Sequence, residues 1–370
     1  MDRASTEPAL TNADRPLKIL YAADLNRENT AQHRLWALER LGHTVIPFNA
    51  LLYKPANPLI AKITFRVAAG PHVVRFNRDL LQAAEAERPD VVWTDKMLSL
   101  WPSTLGRLRR LGIVTVNYMI DNPFGPRRDP GWRLYMKNIP HFDLQVVQRD
   151  KNIEHYRDRG ARNVIKIQTA YEPTLHFPPP PGWSDADRDR DVSFIGTPYD
   201  NRAQFLTRLS KECGFSVAVS GGLVWKRALG SDAASALYKG HGEIYSQEYR
   251  ETIWRSKINL SFITHSNQDE FVHKSFEIAG CGGFLLAERS DGHMQRFEEG
   301  VEAVFFSTFE DCAEKIRRYL PDQAARTRIA AAGRARAERD GYFNDRQVGL
   351  VIERARSLIP AVRQAAGAAA

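Results

Sequence analysis

A chain of 370 residues, 43% hydrophobic and 26% charged, has the balance of a globular protein but exceeds the length that one hydrophobic core usually organises, so two domains are expected. A net charge of +8 favours anionic partners without choosing among nucleic acid, anionic lipid and phosphorylated small molecules. No apolar run approaches the roughly 20 residues that span a bilayer, and the polar opening MDRASTEPALTNADRP lacks the apolar centre of a secretory signal.

In chain order, residues 1–16 read as a flexible N-terminus and LKILYAA (17–23) as a buried strand. Thr30 is placed to cap the helix AQHRLWALERLG, with Leu35, Leu38 and Leu41 on one face. Gly42 stops the helix and HTVIPF resumes strand character, completing the strand–helix–strand unit of a parallel sheet. The segment 57–84 mixes apolar residues with Lys62, Arg66, Arg75 and Arg78. It reads either as a basic solvent-facing helix packed on its own domain or as an interfacial segment in peripheral contact with a membrane.

PDVVWTD (89–95), IVTVNYMID (113–121), FDLQVVQ (142–148) and NVIKIQ (163–168) follow as short strands, separated by helical stretches such as STLGRLRRLG and RDKNIEHYRDRG. The first domain, 17–175, is therefore expected to be a doubly wound α/β unit. Four prolines and a charged run make 176–190 a stiff linker. Alternation then restarts through 191–340: strands at DVSFIG, FSVAVSG, INLSF and FLLAE, with helices at NRAQFLTRLSKECG, SQEYRETIWRSK and HKSFEIAGCG between them. A last helix, 344–359 within a closing segment 341–365, carries Val348, Val351, Ile352 and Leu358, and the RQAAGAAA tail is expected to fray. Two such halves suggest two Rossmann-like domains facing a central cleft, with ligands beyond the carboxyl ends of the strands.

Several chemistries have no support in the residues. Cys213, Cys281 and Cys312 have neither metal-ligand nor disulfide spacing, which fits a reducing cytoplasm. None of the 10 histidines forms a metal pair at i,i+4, so no metal site is expected. No phosphate loop of the Walker type and no G-x-G-x-x-G after the first strand is present, which argues against a dehydrogenase. The arginines are spread along the chain rather than gathered on one face, which argues against nucleic acid as the partner.

The order and spacing of KILYAAD…LERLGHTVIPF, YMIDNPF, DVSFIGTPYDNR, YSQEYRETIWRSKINLSF, KSFEIAGCGGFLLAE and DGYFNDRQ resemble the CgeB-like (spore maturation protein-like) glycosyltransferases of the GT-B fold, related to glycosyltransferase group 1 / family 4. The resemblance covers most of the chain, with KSFEIAGCGGFLLAE its most specific stretch. It implies a hexosyltransferase-type enzyme that moves a sugar from a nucleotide-sugar co-substrate to an acceptor with neither metal nor cofactor, with retention if the family's retaining members are the guide and with Asp121 as the first candidate base if the reaction inverts. The acceptor, whether small molecule, glycan, lipid-linked or protein, stays open. It also implies a donor on the second domain, an acceptor on the first, and a closing segment that packs back across the cleft. A non-catalytic scaffold and a sugar-nucleotide epimerase on the same fold are the alternatives.

In related retaining enzymes two acids stand with seven residues between them, and the second holds the nucleotide ribose. Glu277 matches the second position and Asp269 the first, where an aspartate replaces the usual glutamate and Glu270 lies next door. A carboxylate suits vicinal hydroxyls because it accepts two hydrogen bonds. Otherwise Glu277 is a first-turn acid stabilised by the helix dipole. Lys274 is placed to offset charge on the leaving diphosphate, or is a solvated lysine. Gly280 either admits the nucleotide or belongs to a helix cap.

Gly196 in the loop after DVSFI and Arg202 entering the next helix form a diphosphate cradle; otherwise Asp200 caps that helix and Arg202 points into water. Gly221 and Gly222, at the end of a neighbouring strand, are placed to line the same pocket. Asp121 closes the strand IVTVNYMI and is the candidate to orient the acceptor or act as base, the other possibility being an Asx-turn before Pro123. Asp24 occupies a similar position after the first strand.

Overall fold

The computed structural model describes residues 15–26, 29–126 and 130–368. Most of the N-terminus expected to be flexible lies outside them. The chain divides into two compact units: the first draws on 1–124, 128–167 and 348–370, and the second on 125–127 and 168–347. The proline run therefore falls inside the second unit, where Trp183 packs against Trp254 and Phe177 tilts onto the same ring.

The first unit contains β1 (Lys18–Ala23), α1 (Thr30–Arg40), β2 (Thr44–Asn49), α2 (Pro58–Val67), α3 (Pro71–Glu87), β3 (Val91–Asp95), α4 (Pro102–Arg110), β4 (Val114–Tyr118), α5 (Trp132–Asn138), β5 (Leu144–Val147), α6 (Asp150–Asp158) and β6 (Val164–Lys166). Its sheet is parallel throughout, in the order β2-β1-β3-β4-β5-β6. Winding reverses at β1, so the crevice beside its carboxyl end is the place where this topology accommodates ligands. The inner strands β1, β3, β4 and β5 are buried on both faces, as in a parallel sheet covered by helices on each side, while the edge strands β2 and β6 are only half-buried. Ile19 and Tyr21 join Trp93 and Val116 on one face, while Leu20 and Ala22 join Val92, Phe76, Leu80 and Leu105 on the other.

Three expectations change here. Asn29, not Thr30, caps α1, its side chain accepting from the Ala31 N–H. Leu35 and Leu38 are buried, but Leu41 is the exposed residue just past the helix. The segment 57–84 is two helices rather than one: Ala68 turns left-handed at the end of α2, and Gly70 and Pro71 start α3.

The second unit contains β7 (Arg190–Ile195), α7 (Arg202–Lys211), β8 (Val217–Ser220), α8 (Val224–Leu229), α9 (Ser231–Leu237), α10 (Ser246–Trp254), β9 (Ser256–Ser261), α11 (His273–Gly280), β10 (Leu285–Glu288), α12 (Asp291–Met294), β11 (Val304–Phe306), α13 (Phe309–Tyr319) and α14 (Gln323–Arg339). Its parallel sheet runs β11-β10-β9-β7-β8, so winding reverses between β9 and β8, at β7. The three-residue β11 was not foreseen. Val192, Phe194, Ile258, Leu260 and Phe306 build the core on one face; Ile195, Leu285, Ala287 and Phe305 build it on the other.

The last helix, α15 (Asn344–Gly367), begins in the second unit and belongs to the first from Val348 on. Val348, Val351, Ile352, Ala355, Ile359 and Val362 enter the core that covers Ile19, Tyr21 and Trp93. The helix runs well beyond 359 despite Pro360 in its interior. Buried residues on both sides of the proline offset the hydrogen bond it removes, since each well-buried Val or Ile contributes about 1.5–3 kcal/mol against roughly 3 kcal/mol for the proline.

Candidate functional site

Polar side chains of the second unit gather where its topology directs a ligand, at the carboxyl ends of β7, β8, β9 and β10. Gly196 follows β7 and Gly221 follows β8. Both have left-handed φ, +151° and +146°, and a Cβ on Gly221 would stand 2.2 Å from the Gly196 carbonyl oxygen. That carbonyl accepts the indole N–H of Trp225 at 2.6 Å, and the Gly221 carbonyl accepts the Tyr238 hydroxyl at 2.7 Å. The two loops therefore touch backbone to backbone, and glycine is required for that contact. A Cβ on Gly222 would meet the Glu243 carboxylate at 2.3 Å.

Arg202 is the first residue of α7 and is buried, not in water. Its guanidinium donates to the carbonyls of Thr197 (3.2 Å) and Ile263 (3.0 Å) and to the Thr264 hydroxyl (3.0 Å), bracing the Gly196 loop against the segment that leaves β9. Its Nε is buried with no hydrogen-bond partner. Burial lowers its pKa, against the charges of Asp200, Glu288 and Asp269 nearby. Asp200 does not cap α7: its residue is left-handed (φ +51°), and its carboxylate accepts the His265 N–H at 3.1 Å.

Asp269 lies in the segment between β9 and α11 and accepts from the Asn267 amide at 2.9 Å. That segment is pinned further on, where the Glu270 carbonyl accepts the Ser290 hydroxyl at 2.6 Å.

Helix α11 begins at His273, so Lys274 and Ser275 lie in its first turn and Glu277 in its second. Glu277 is thus not a first-turn acid; its environment comes from side chains. The Tyr249 hydroxyl, reaching over from α10, donates to Glu277 Oε2 and accepts from Lys274 Nζ at 2.5 Å, with Lys274 Nζ itself 3.8 Å from that carboxylate. On the other side, His176 Nδ1 accepts the Glu172 N–H at 3.0 Å, which leaves the ring proton on Nε2, 4.0 Å from Glu277 Oε1. Burial alone would push the Glu277 carboxyl up, but Lys274 foremost, then His176, His273 and the Tyr249 hydroxyl, hold it down at about 2. His176 is itself held below its ordinary value by burial. It is therefore neutral at neutral pH, and Lys274 is the cation that counts there. Burial lowers Lys274 in turn, with Glu277 opposing.

Beneath these groups Ser275 links the Ser261 hydroxyl (2.9 Å) to His293 Nε2 (2.8 Å), and burial brings His293 down to about 4.

Gly280 does not share this surroundings. It ends α11 with a Cβ position 2.8 Å from the Tyr171 ring, and its carbonyl accepts from Arg334. Gly282 supplies the left-handed turn after the helix (φ +67°), and Gly283 packs against Ile253 and Ile278. Each glycine of that run has a packing or turn reason of its own.

In the first unit, a cavity of about 720 Å³ adjoins the carboxyl ends of β1, β3 and β4, lined by Asp24, Arg34, Asp95, Lys96 and Asp121. Asp121 pairs with Lys96 at 2.6 Å and Asp24 with Lys54 at 2.6 Å. The base of the cavity is rigid: buried Arg34 and Asp95 meet at 2.6 Å, and the Tyr21 hydroxyl donates to Asp95 at 2.8 Å.

Sequence reasoning missed Tyr249, His176, Arg34 and Lys96. Only Lys96 carried a signal, as a cation directly after a strand-ending aspartate. Among the described residues no cluster of three or more His, Cys, Asp or Glu side chains is placed to hold a metal ion.

The family model described as Glycosyl transferase-like matches residues 202–350, which contain Arg202, Asp269, Lys274 and Glu277. Among curated proteins none matches the sequence. Solved structures do. Sucrose-phosphate synthase from Thermosynechococcus elongatus superposes with a TM-score of 0.64 at 13% identity, over 93% of this chain and 100% of that one. A glycosyltransferase from Rickettsia africae gives 0.65 at 12%, over 93% and 99%. The Anabaena protein HepE, in complex with UDP-glucose, gives 0.60 at 14%, over 91% and 99%. The fold is GT-B, two parallel-sheet α/β domains.

Proposed function

We propose that this protein is a metal-independent, retaining glycosyltransferase of the CgeB-like group, acting in the cytoplasm on a nucleoside diphosphate hexose. The observation that carries the proposal is the pair Lys274 and Glu277, 3.8 Å apart and bridged by Tyr249 at the carboxyl edge of the second sheet, within the stretch that matches the glycosyl transferase-like family model. The UDP-glucose held by HepE supports a donor of this class.

In this mechanism the donor sits on the second unit. Glu277, kept ionised by Lys274, accepts the ribose hydroxyls through Oε1, the oxygen not engaged by Tyr249. Asp269 contacts the sugar hydroxyls. Gly196, Gly221 and Gly222 let the backbone approach the diphosphate, and Arg202 holds their loop in place beside a positive charge. As the bond from the anomeric carbon to the diphosphate oxygen breaks, its electron pair passes to the diphosphate, and Lys274 offsets the charge that develops. The acceptor oxygen bonds to the anomeric carbon, and its proton goes to the departing diphosphate. The acceptor is assigned to the first-unit cavity, with Asp121 orienting its hydroxyl.

Calorimetric and thermal-shift titration with UDP, GDP, ADP, CMP and TDP tests this, on the wild type and on Glu277→Gln and Glu277→Ala. One nucleotide is expected to stabilise the wild type and to lose most of its affinity in both variants. If none binds, catalysis gives way to a scaffold role for the fold. Incubation with the matching nucleotide sugar, with and without EDTA, then checks metal independence.

A further inference from the structure

We infer that α2 is an interfacial helix that seats the first unit on an anionic bilayer surface. Of its ten residues only Ala61 and Thr64 are turned inward enough to be half-buried, and none is fully buried. Phe65 leans inward over Gly131 and lines the first-unit cavity, but the other large apolar side chains face out: Leu59, Ile60, Ile63 and Val67 are 48–66% exposed, and Leu52, just ahead of the helix, is 69% exposed. A helix that serves its own core does the reverse, as α3 does with Val73, Phe76 and Leu80.

The helix is nonetheless well formed at its ends. Asn57 accepts from the N–H groups of Leu59 and Ile60, Pro58 occupies the first position, and Ala68 closes it. A helix this short is marginal in water without packing for its apolar side. Its outer face therefore calls for a cover.

Charge selects the cover. From Arg40 through Arg78 the chain has no Asp or Glu, while Lys54, Lys62, Arg66, Arg75 and Arg78 are all present. Lys54 pairs with Asp24 (2.6 Å), Arg78 pairs with Asp79 (2.9 Å), and Arg75 donates to the Leu52 carbonyl (3.1 Å) with Asp79 at 3.9 Å, so those three charges are partnered. Lys62 and Arg66 stand exposed one turn apart on α2, amid its apolar residues. Exposed Leu and Ile with Lys and Arg among them, and no acid, is the chemistry that partitions into a headgroup layer and is drawn to anionic lipid. No helix among the described residues is long and apolar enough to cross a membrane, so the contact is peripheral. This inference does not rest on the proposed sugar transfer.

Flotation of the full chain with phosphatidylcholine vesicles, with and without phosphatidylglycerol, tests it. Wild type is expected to float with the anionic vesicles and to be released by high salt. The double variant Ile60→Ser/Ile63→Ser is expected to lose roughly tenfold or more of that binding, with only a small drop in melting temperature because each side chain is about half exposed (48% and 53%). Lys62→Gln/Arg66→Gln should lose the preference for anionic over neutral vesicles. The inference is overturned if wild type floats with neither vesicle or if the serine variant floats as well as wild type. It is also overturned if wild type self-associates in sedimentation and the serine variant does not, which would make this face a contact between copies.

Discussion

Lys274 and Glu277 lie one turn apart on the same helix, yet their charged ends are joined through the hydroxyl of Tyr249, which accepts from the one and donates to the other. The arrangement keeps the carboxylate ionised while leaving its second oxygen uncommitted to the tyrosine. Tyr249→Phe removes the hydroxyl from both charges at little change in volume. We expect a loss of about 1–3 kcal/mol in stability and a several-fold loss of nucleotide affinity, measured by thermal unfolding and calorimetry. An unchanged affinity would make the bridge purely structural.

Acid should weaken the second unit in two stages. His293 titrates near 6.5 when free and near 4 when buried, so the folded state is favoured fully above 6.5 and loses ground as the pH falls to 4. That difference amounts to about 3 kcal/mol. Glu277 acts in the same direction lower down: its contribution is complete above 4.5 and disappears as the pH falls towards 2. Melting temperature against pH measures both. His293→Asn should be less stable at neutral pH, and its curve should be flatter through the first stage.

The contact between Gly196 and Gly221 makes a sharp contrast possible. Gly221→Ala places a Cβ 2.2 Å from a backbone carbonyl at a φ of +146°, and should cost at least about 3 kcal/mol or abolish soluble expression. Gly214→Ala meets nothing within 4 Å and only the strain of a φ of +74°, so about 1 kcal/mol is expected. Equal losses would mean that the two loops do not bear on each other.

Arg202 braces two loops and carries a charge, and Arg202→Lys separates the roles. Lysine keeps the charge but cannot fork onto several acceptors at once. The variant should melt lower and bind nucleotide more weakly, because the Gly196 loop loses its register. A lower melting temperature with unaltered affinity would confine Arg202 to bracing.

Most of the fold was legible in the sequence because the strands are short segments rich in apolar and β-branched residues, set off by polar or glycine-bearing turns. β11 escaped because only Val304, Phe305 and Phe306 pair, too few for a period to register. Helix starts blurred where neighbours compete to cap, as Asn29 and Thr30 do. In the candidate site, Glu277 and Lys274 were visible because they sit in one short stretch. Tyr249 and His176 were not, because folding brings them in from an earlier helix and from the segment just ahead of the proline run. Local pattern left Arg202 open between a diphosphate cradle and a solvated helix start, because the Ile263 carbonyl and Thr264 hydroxyl it braces lie more than sixty positions on.

The apolar face of α15 has a consequence for biosynthesis. Because Val348 to Val362 complete the core over Ile19, Tyr21 and Trp93, the first unit is finished only by residues translated after the whole of the second unit. Throughout elongation of the second unit, the first exposes an uncovered hydrophobic face, the kind of surface chaperones bind. A chain truncated after Gln347 should therefore be protease-sensitive in its first unit while the second, complete by then, is resistant.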